Sequence, residues 1–295
     1  MFDSFRSLDV SLPSTTAFCR VGGAGPPIVM LHGFPETHLM WRDVAPILAR
    51  HHTVVCPDLR GYGQSGCPPS DENHEPYAKR SMANDVADLM LHLGFHSFGL
   101  VGHDRGGRVA YRLALDHPER VASLALLDIV PTDAAWANAD DRFALAFWPW
   151  ALLAQPAPLP ERLLAGDPDA VVQDALDSWG TPAATFPPEV RAAYAMQFRD
   201  PARAHAICEE YRAAASLDRM HDRADLERGR QFKSPTLVLW SASGGLANWY
   251  SETGGPLELW RRLCPSVQGR AFMGGHFFPE EAPEEMAHAL ITFFA

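Results

Sequence analysis

A carboxylate lies between two glycines at residues 102–106, Gly-His-Asp-Arg-Gly, where an apolar run gives way to a helical pattern. A glycine two positions before and another two after a central residue is the spacing of a nucleophile elbow, a sharp strand-to-helix turn that exposes one side chain. The central residue is Asp104, where serine is the more familiar nucleophile. A carboxylate can attack a saturated carbon and form an ester. We therefore predict that Asp104 is a nucleophile; the alternative is an aspartate in an ordinary turn.

An ester on Asp104 must be hydrolysed, which requires a base that activates water. Of the 13 histidines, His276 is the best candidate. It follows two glycines in a loop between the last predicted strand and the final predicted helix, which places it at the same sheet edge as Asp104. His103 adjoins the nucleophile, but the side chain before an elbow tip is expected to point away from it.

The base needs an acid that orients it, and two loops are candidates. The loop at 239–246 contains no carboxylate, whereas Asp128 stands between apolar residues at the end of a predicted strand. A charged residue in such a run is costly unless it has a partner, and a histidine N–H is the natural one. We predict that Asp128 orients His276; the alternative is a helix cap or a loop contact.

Backbone donors and two arginines complete the candidate site. The sequence His-Gly-Phe-Pro at 32–35 follows a predicted buried strand, so the backbone N–H groups of Phe34 and Arg105 are expected to form an oxyanion hole. Arg105 and Arg108 stand three positions apart at a helix start, on one face, and favour binding of a carboxylate. Alternatively, one or both pair with acidic residues of a neighbouring helical segment.

Buried strands alternate with helix-sized segments over the first 130 residues and again after residue 230. Strands are predicted at 28–31, 53–56, 97–101, 121–127, 236–240 and 267–273, after one or two edge strands in residues 1–20. Helices are predicted at 41–50, 81–93, 108–115 and 283–294. This alternation predicts an α/β fold with right-handed crossovers and a mostly parallel, doubly wound sheet.

Between residues 131 and 230 the pattern is helical, with helices predicted at 143–154, 170–179, 188–198 and 201–217 and proline-rich loops between them. We predict a core formed by residues 1–130 and 231–295, and an all-helical lid (a cap insertion) formed by residues 131–230. An insertion at the carboxyl edge of the strands would cover the functional crevice.

Composition excludes several classes of partner. The net charge is −11 without a basic run, which argues against nucleic acid and anionic membranes. A small anionic substrate would need locally placed cations. The five cysteines are scattered and lack metal-ligand spacing, so we expect free thiols in a reducing compartment. No leader-like or membrane-spanning run is visible, and a soluble, cytoplasmic protein is expected.

Motifs along nearly the whole chain resemble the haloacetate dehalogenases, including fluoroacetate dehalogenases, of the α/β-hydrolase superfamily. The likeness covers residues 32–35, 102–108, 127–132, 153–158, 208–213 and 274–278. It implies an Asp-His-Asp triad formed by Asp104, His276 and Asp128. It also implies that Arg105 and Arg108 hold the substrate carboxylate, and that Trp150 and Tyr211 bind the departing halide. The resemblance also implies a homodimer and neither a metal nor an organic cofactor.

One position departs from the family. The halide pocket usually reads His-Trp, and here the pair is Pro149-Trp150. Proline supplies no donor and should kink or end a helix. Because fluoride depends strongly on hydrogen bonds as it departs, we hypothesise that chloroacetate or bromoacetate is a better substrate than fluoroacetate. Trp148 is interpreted as lid packing.

Two other functions remain open. An epoxide hydrolase shares the aspartate nucleophile and the base, and needs lid tyrosines for which Tyr194 and Tyr211 are candidates. Arg105 and Arg108 argue against it, since a neutral epoxide gains little from them. The third possibility is a sensor that binds an acid without turnover, which the complete set of Asp104, Asp128 and His276 disfavours.

Overall fold

The computed structural model describes residues 1–295, apart from the side chain of Thr253. One eight-stranded sheet runs through it in the order β1-β2-β4-β3-β5-β6-β7-β8. Strands β3 to β8 are parallel, whereas β1 and β2 form an antiparallel extension at one edge. The strands are β1 (Arg6–Ser11), β2 (Thr16–Gly23), β3 (Pro27–Leu31), β4 (Thr53–Pro57), β5 (Phe98–His103), β6 (Val121–Leu127), β7 (Thr236–Ser241) and β8 (Gln268–Phe272).

Helices cover the sheet and fill the interval between β6 and β7. Those outside that interval are α1 (Ala45–Leu48), α2 (Lys79–His92), α3 (Asp104–Asp116), α12 (Gly245–Trp249), α13 (Pro256–Arg261), α14 (Phe278–Glu281) and α15 (Pro283–Phe294). Inside it lie α4 (Thr132–Ala137), α5 (Asp141–Ala146), α6 (Trp148–Leu153), α7 (Leu159–Gly166), α8 (Pro168–Ser178), α9 (Pro188–Arg199), α10 (Pro201–Ala215) and α11 (Leu217–Glu227). We call α4 to α11 the helical insertion. Short 3-10 helices occur at His38–Trp41, Glu75–Tyr77, Ala183–Thr185 and Ser251–Thr253.

The sheet is buried on both faces. Along β3, Val29 packs with α2 and α3 on one side, whereas Met30 packs with α1 and α15 on the other. A parallel sheet covered on both faces needs apolar side chains at successive positions. This explains why the central strands read as continuous apolar runs, and it confirms the predicted α/β class with a mostly parallel sheet.

Prolines shorten or divide two of the predicted helices. The helix expected over 41–50 is instead a 3-10 turn followed by α1, in whose first turn Pro46 lies. The helix expected over 143–154 ends at Ala146 and restarts at Trp148, with Pro149 in the first turn of α6. Proline lacks an N–H and is tolerated at a helix start but not in its interior. Helices α4, α7 and α11 were not predicted, and α7 begins inside a segment expected to be a proline loop.

Two features of the whole chain bear on its environment. Across the described residues, none of the helices combines the length and the hydropathy that a bilayer crossing would demand. The five cysteines are free thiols, four of them buried.

Candidate active site

The turn from β5 into α3 places Asp104 at the carboxyl edge of the sheet. Asp104 has a positive φ of +43°, a conformation that L-residues adopt rarely. At Gly106 a Cβ atom would lie 2.4 Å from the carbonyl oxygen of His32, so this close approach of backbones requires glycine. The glycine spacing and the strained aspartate together form the elbow geometry that the sequence predicted.

The Asp104 carboxylate is buried, with 8% of the residue exposed, and is held by the loop after β3. Its Oδ1 accepts a hydrogen bond of 3.0 Å from the backbone N–H of Phe34. Burial alone would raise the pKa of Asp104, but the positive charges that His276 and Arg105 can carry outweigh it and lower that pKa. The carboxylate is therefore ionised at neutral pH, as a nucleophile must be.

Asp128 and His276 form a hydrogen-bonded pair beside Asp104. Asp128 follows β6 with a φ of +51°, and its Oδ2 lies 2.6 Å from Nδ1 of His276. Its Oδ1 accepts a hydrogen bond of 2.8 Å from the Ser241 N–H at the end of β7. Among the described residues, no group hydrogen-bonds to the buried Nε2 of His276. The pair thus presents Nε2 as the nitrogen available for water.

His103 lies behind the site. Its Nε2 is 2.9 Å from the carbonyl oxygen of His276, and its Nδ1 is 3.2 Å from Oε2 of Glu36. Glu36 also accepts a hydrogen bond from the Gly33 N–H, so it connects the loop after β3 with the residue before the elbow. Burial raises the pKa of Glu36 to about 7.

A small cavity of about 20 Å³ joins these groups. Its polar wall residues are Asp104, Arg108, Asp128, Trp150, Tyr250 and His276. Its apolar wall residues are Val130, Ala135, Phe143, Phe147 and Leu246. A volume of this size holds about one water molecule. The cavity is therefore narrow and disfavours bulky substrates.

The two arginines of the elbow helix differ in their partners. Arg105 is fully buried and binds Glu210 of α10, through Nε at 2.9 and 2.8 Å and through Nη2 at 2.6 Å. Its guanidinium lies 4.0 Å from the ring centre of Tyr211, and its Nη1 has no partner among the described residues. Arg105 thus pairs with an acidic residue of the helical insertion, which is the alternative considered from the sequence.

Arg108 lies in the cavity wall. Its Nη1 donates to the carbonyl oxygen of Val130 at 3.1 Å and to the hydroxyl of Thr132 at 3.2 Å. Its guanidinium is 4.4 Å from the ring centre of Trp150. Burial and the neighbouring Arg105 lower the pKa of Arg108, but a guanidinium stays charged at neutral pH. The described ion pairs include none for Arg108.

Trp150 and Tyr211, predicted to bind the halide, and Tyr194, a candidate for the epoxide oxygen, occupy different places. Trp150 lies in the cavity wall, whereas Tyr211 is buried between Arg105 and the ring of Phe34 and is not among the wall residues. The hydroxyl of Tyr194 donates to Glu280 at 3.2 Å, also away from the cavity wall. Pro149 is buried in the first turn of α6.

Two groups of residues near the site were not identified from the sequence. Tyr250 and Leu246, four positions apart after β7, both line the cavity. Glu210 holds Arg105 from α10. The sequence carries one signal for Leu246 and Tyr250, which is the i and i+4 spacing of two large side chains in a segment that lacks a carboxylate. Within the described part of the chain, no cluster of three or more His, Cys, Asp or Glu side chains is arranged to hold a metal ion.

Comparison with known families agrees with this geometry. The family model for the alpha/beta hydrolase fold matches residues 26–283. This chain belongs to the α/β hydrolase fold family. Within that family, the hydrolase is 44% identical over 296 residues to a Burkholderia sp. protein named fluoroacetate dehalogenase, spanning 100% of this chain and 95% of the relative. The resemblance to haloacetate dehalogenases of the α/β-hydrolase superfamily, which the sequence motifs indicated, is therefore confirmed.

Two further similarities mark the breadth of the family. The hydrolase is 31% identical over 289 residues to a soluble epoxide hydrolase of Corynebacterium sp. (strain C12), covering 92% of this chain and 91% of the relative. The crystal structure of a Nostoc sp. PCC 7120 protein superimposes with a TM-score of 0.96 at 43% identity, over 100% of this chain and 99% of that one. The fold is thus shared between proteins named for different reactions, and the reaction must be argued from the site.

Proposed function

We propose that this α/β hydrolase is a dehalogenase that converts a 2-haloacid such as chloroacetate to the 2-hydroxy acid and halide through an ester on Asp104. The observation that carries the proposal is the composition of the cavity wall, where Asp104, Arg108 and the Asp128–His276 pair meet. These residues supply a nucleophilic carboxylate, a base, and a cation that has no ion-pair partner among the described residues. Such a set suits a small acid with a leaving group on its α-carbon. The Burkholderia relative named fluoroacetate dehalogenase supports the same reaction.

In the first step the substrate carboxylate binds Arg108, with Nη1 of Arg105 as a second donor. Because Phe34 holds Oδ1 of Asp104, the other carboxylate oxygen attacks the α-carbon. A carbon–oxygen bond forms as the carbon–halogen bond breaks, and the halide leaves with the electron pair. The indole N–H of Trp150, and the hydroxyl of Tyr211 after a small shift of the lining rings, stabilise the developing halide charge.

In the second step Nε2 of His276 takes a proton from water, which attacks the carbonyl carbon of the Asp104 ester. Asp128 stabilises the imidazolium that forms. The negative charge of the tetrahedral intermediate develops on Oδ1, which the Phe34 N–H already contacts and which the Arg105 N–H joins. Collapse breaks the ester bond, the leaving oxygen takes the proton from His276 to give the hydroxy acid, and one oxygen of the regenerated carboxylate comes from water.

The composition of the cavity wall near the helical insertion supports a halide preference. Phe143, Phe147 and Trp150 line it, and Trp150 is the one of these three with an N–H. Pro149 cannot supply the second donor that the family usually has there. We propose that chloroacetate and bromoacetate are turned over faster than fluoroacetate, because chloride and bromide need less hydrogen-bond assistance to depart.

An epoxide hydrolase is the second candidate because the Corynebacterium relative carries that name. Such an enzyme would need tyrosine hydroxyls that protonate the epoxide oxygen. Tyr194 is bound to Glu280 away from the cavity, so the remaining hydroxyls are those of Tyr250, which lines the wall, and Tyr211, which does not. A neutral epoxide would leave the charge of Arg108 unmatched in a buried wall, which is costly. These contacts favour the dehalogenase.

The test is halide release from chloroacetate, bromoacetate and fluoroacetate at matched concentrations, beside diol formation from styrene oxide. Asp104→Asn is the matched control, since asparagine tolerates a positive φ and removes only the nucleophilic oxygen. We expect chloride and bromide release that exceeds fluoride release and vanishes in the variant. Diol formation without halide release would establish the epoxide hydrolase instead.

A further inference from the structure

One polar residue of the cavity wall has no role in the two steps above. Asp104, Asp128 and His276 carry the chemistry, Arg108 meets the carboxylate, and Trp150 meets the halide. Tyr250 lines the same cavity and is 2% exposed. It follows α12 in the loop after β7 and therefore belongs to the sheet edge, not to the helical insertion.

Tyr250 is a neutral phenol beside a cation. Burial raises its pKa to about 12, and Arg108 is the charged group that acts on it most strongly, in the opposite direction. The carboxylate of Asp140 opposes Arg108 more weakly. At any working pH the hydroxyl therefore keeps its proton, and it lies in the field of the guanidinium that lines the same wall.

The charge of Arg108 calls for an anion at this end of the cavity. Its Nη1 is used by neutral acceptors, Val130 and Thr132, and the described ion pairs hold no carboxylate for it. An anion that binds Arg108 from inside the cavity has two oxygens if it is a carboxylate. One carboxylate oxygen can accept a hydrogen bond from the Arg108 guanidinium. The other carboxylate oxygen is then available to the rest of the cavity wall, to which Tyr250 belongs.

We propose that Tyr250 donates a hydrogen bond to the substrate carboxylate alongside Arg108, and thereby helps select 2-haloacids over neutral halides. This inference rests on the proposed dehalogenase function and deepens it. A neutral donor next to the guanidinium fixes the orientation of the carboxylate without adding another buried charge. That orientation presents the α-carbon to Asp104, with the halide towards Trp150.

The experiment compares Tyr250→Phe, which removes one hydroxyl, with Tyr194→Phe, which removes another buried hydroxyl away from the cavity. Acetate reports on the carboxylate end because it carries no halide, and bromide reports on the halide end. For Tyr250→Phe we expect KM for chloroacetate to rise about tenfold or more, with kcat changed less than about twofold. Competitive inhibition by acetate should weaken by the same factor, and inhibition by bromide should not change. Tyr194→Phe should leave all four constants near their wild-type values.

Three outcomes overturn the inference. They are unchanged acetate inhibition in Tyr250→Phe, a loss confined to kcat and bromide inhibition, or equal losses in both tyrosine variants. The second would assign the hydroxyl to the halide, and the third would mean a general structural effect. Failure of the proposed function is distinguished by the wild-type protein, which would then release no halide. Calorimetric titration with acetate still compares the wild-type protein with Tyr250→Phe in that case, and equal affinities would overturn the assignment of Tyr250 independently.

Discussion

The two sides of the cavity are built in different ways. On the sheet side, Asp104 and Asp128 adopt positive φ values, and directed hydrogen bonds of 2.6 to 3.0 Å hold their carboxylates. On the side of the helical insertion, Phe143, Phe147 and Trp150 are held by ring packing, with centroids 5.3 to 5.8 Å apart. Strained backbone and directed polar contacts fix the positions of reacting atoms, whereas ring packing sets shape and polarity. We therefore propose that the sheet side determines the reaction and that the insertion side sets the preference among halides.

The sheet side also has a polar layer behind it. Glu36, His103 and the carbonyl of His276 form a buried chain of contacts that joins the loop after β3, the end of β5 and the loop after β8. Buried polar groups of this kind specify one arrangement to the extent that they are satisfied, and Oε1 of Glu36 has no hydrogen-bond partner among the described residues. On the insertion side, Glu210 of α10 forms a buried ion pair with Arg105 of the elbow helix.

The largest expected effect comes from breaking the sheet side at His276. In His276→Asn the first step should proceed and the second should stop, because asparagine cannot take the proton from water. Steady-state turnover should fall by at least about 10⁴-fold. Rapid-quench measurement should show one halide released per enzyme and a protein mass increased by the carboxymethyl group that chloroacetate leaves on Asp104. A variant that releases no halide at all would contradict the separate roles of Asp104 and His276.

A smaller loss is expected from Arg108→Lys, with Arg105→Lys as its matched comparison. Lysine keeps the charge but loses the planar fork that binds a carboxylate. We expect kcat/KM for chloroacetate to fall about 10- to 100-fold in Arg108→Lys, mainly through KM. Arg105→Lys also breaks the contacts with Glu210, so its loss should be accompanied by a lower free energy of unfolding. Equal effects of the two variants on both kinetics and stability would remove the distinction between these arginines.

The insertion side is tested by Pro149→His, which restores a donor to the first turn of α6. We expect the ratio of fluoroacetate to chloroacetate turnover to rise about tenfold, because fluoride gains most from an added hydrogen bond. Pro149→Phe, which restores size and the backbone N–H but no side-chain donor, is the control. If the phenylalanine variant raises the ratio equally, the effect comes from the helix start and not from a donor at the halide.

The smallest expected effect concerns Glu36 and the pH dependence of stability. Burial raises the pKa of Glu36 to about 7 from its usual value near 4.5. Between these values the folded state holds a proton that the unfolded chain has lost, so the free energy of unfolding must fall as pH rises through this range. Denaturant titration gives the free energy of unfolding at pH 5 and at pH 8. We expect its decrease between these pH values to be larger in the wild-type protein than in Glu36→Gln, by on the order of 1 kcal/mol. Identical falls would mean that Glu36 is ionised throughout.

The residues on the sheet side of the cavity could be predicted from the sequence more fully than those on the insertion side. Asp104, Asp128 and His276 each follow a strand directly, so the parallel sheet brings them to one edge once the strands are recognised. Local signals, the two glycines and an aspartate in an apolar run, point to them before any packing is known. Strand β6 and helix α15 were predicted with the bounds that the structure shows.

What escaped prediction depends on packing between distant segments. The contact of Arg105 with Glu210 joins residues 105 positions apart and depends on how α10 lies over α3. Tyr250 follows α12, and it lines the cavity together with residues of α3, of the loop after β6 and of the insertion that lie far from it in the sequence. Six of the eight helices of the insertion have a proline in their first turn or at the residue before the helix, as α7 and α8 illustrate. Because proline otherwise indicates a loop, it interrupts the hydrophobic pattern by which these helices could be predicted.

The central claim is that Asp104, and not water, attacks the substrate. Single turnover of chloroacetate by excess enzyme in isotopically labelled water, followed by mass spectrometry of the peptide that contains Asp104, tests it most directly. The account predicts that the heavy oxygen enters the Asp104 carboxylate, while the glycolate formed in that turnover carries an unlabelled hydroxyl. Labelled hydroxyl in the first-turnover glycolate, with an unlabelled peptide, would show that water attacks the α-carbon directly and would contradict the account.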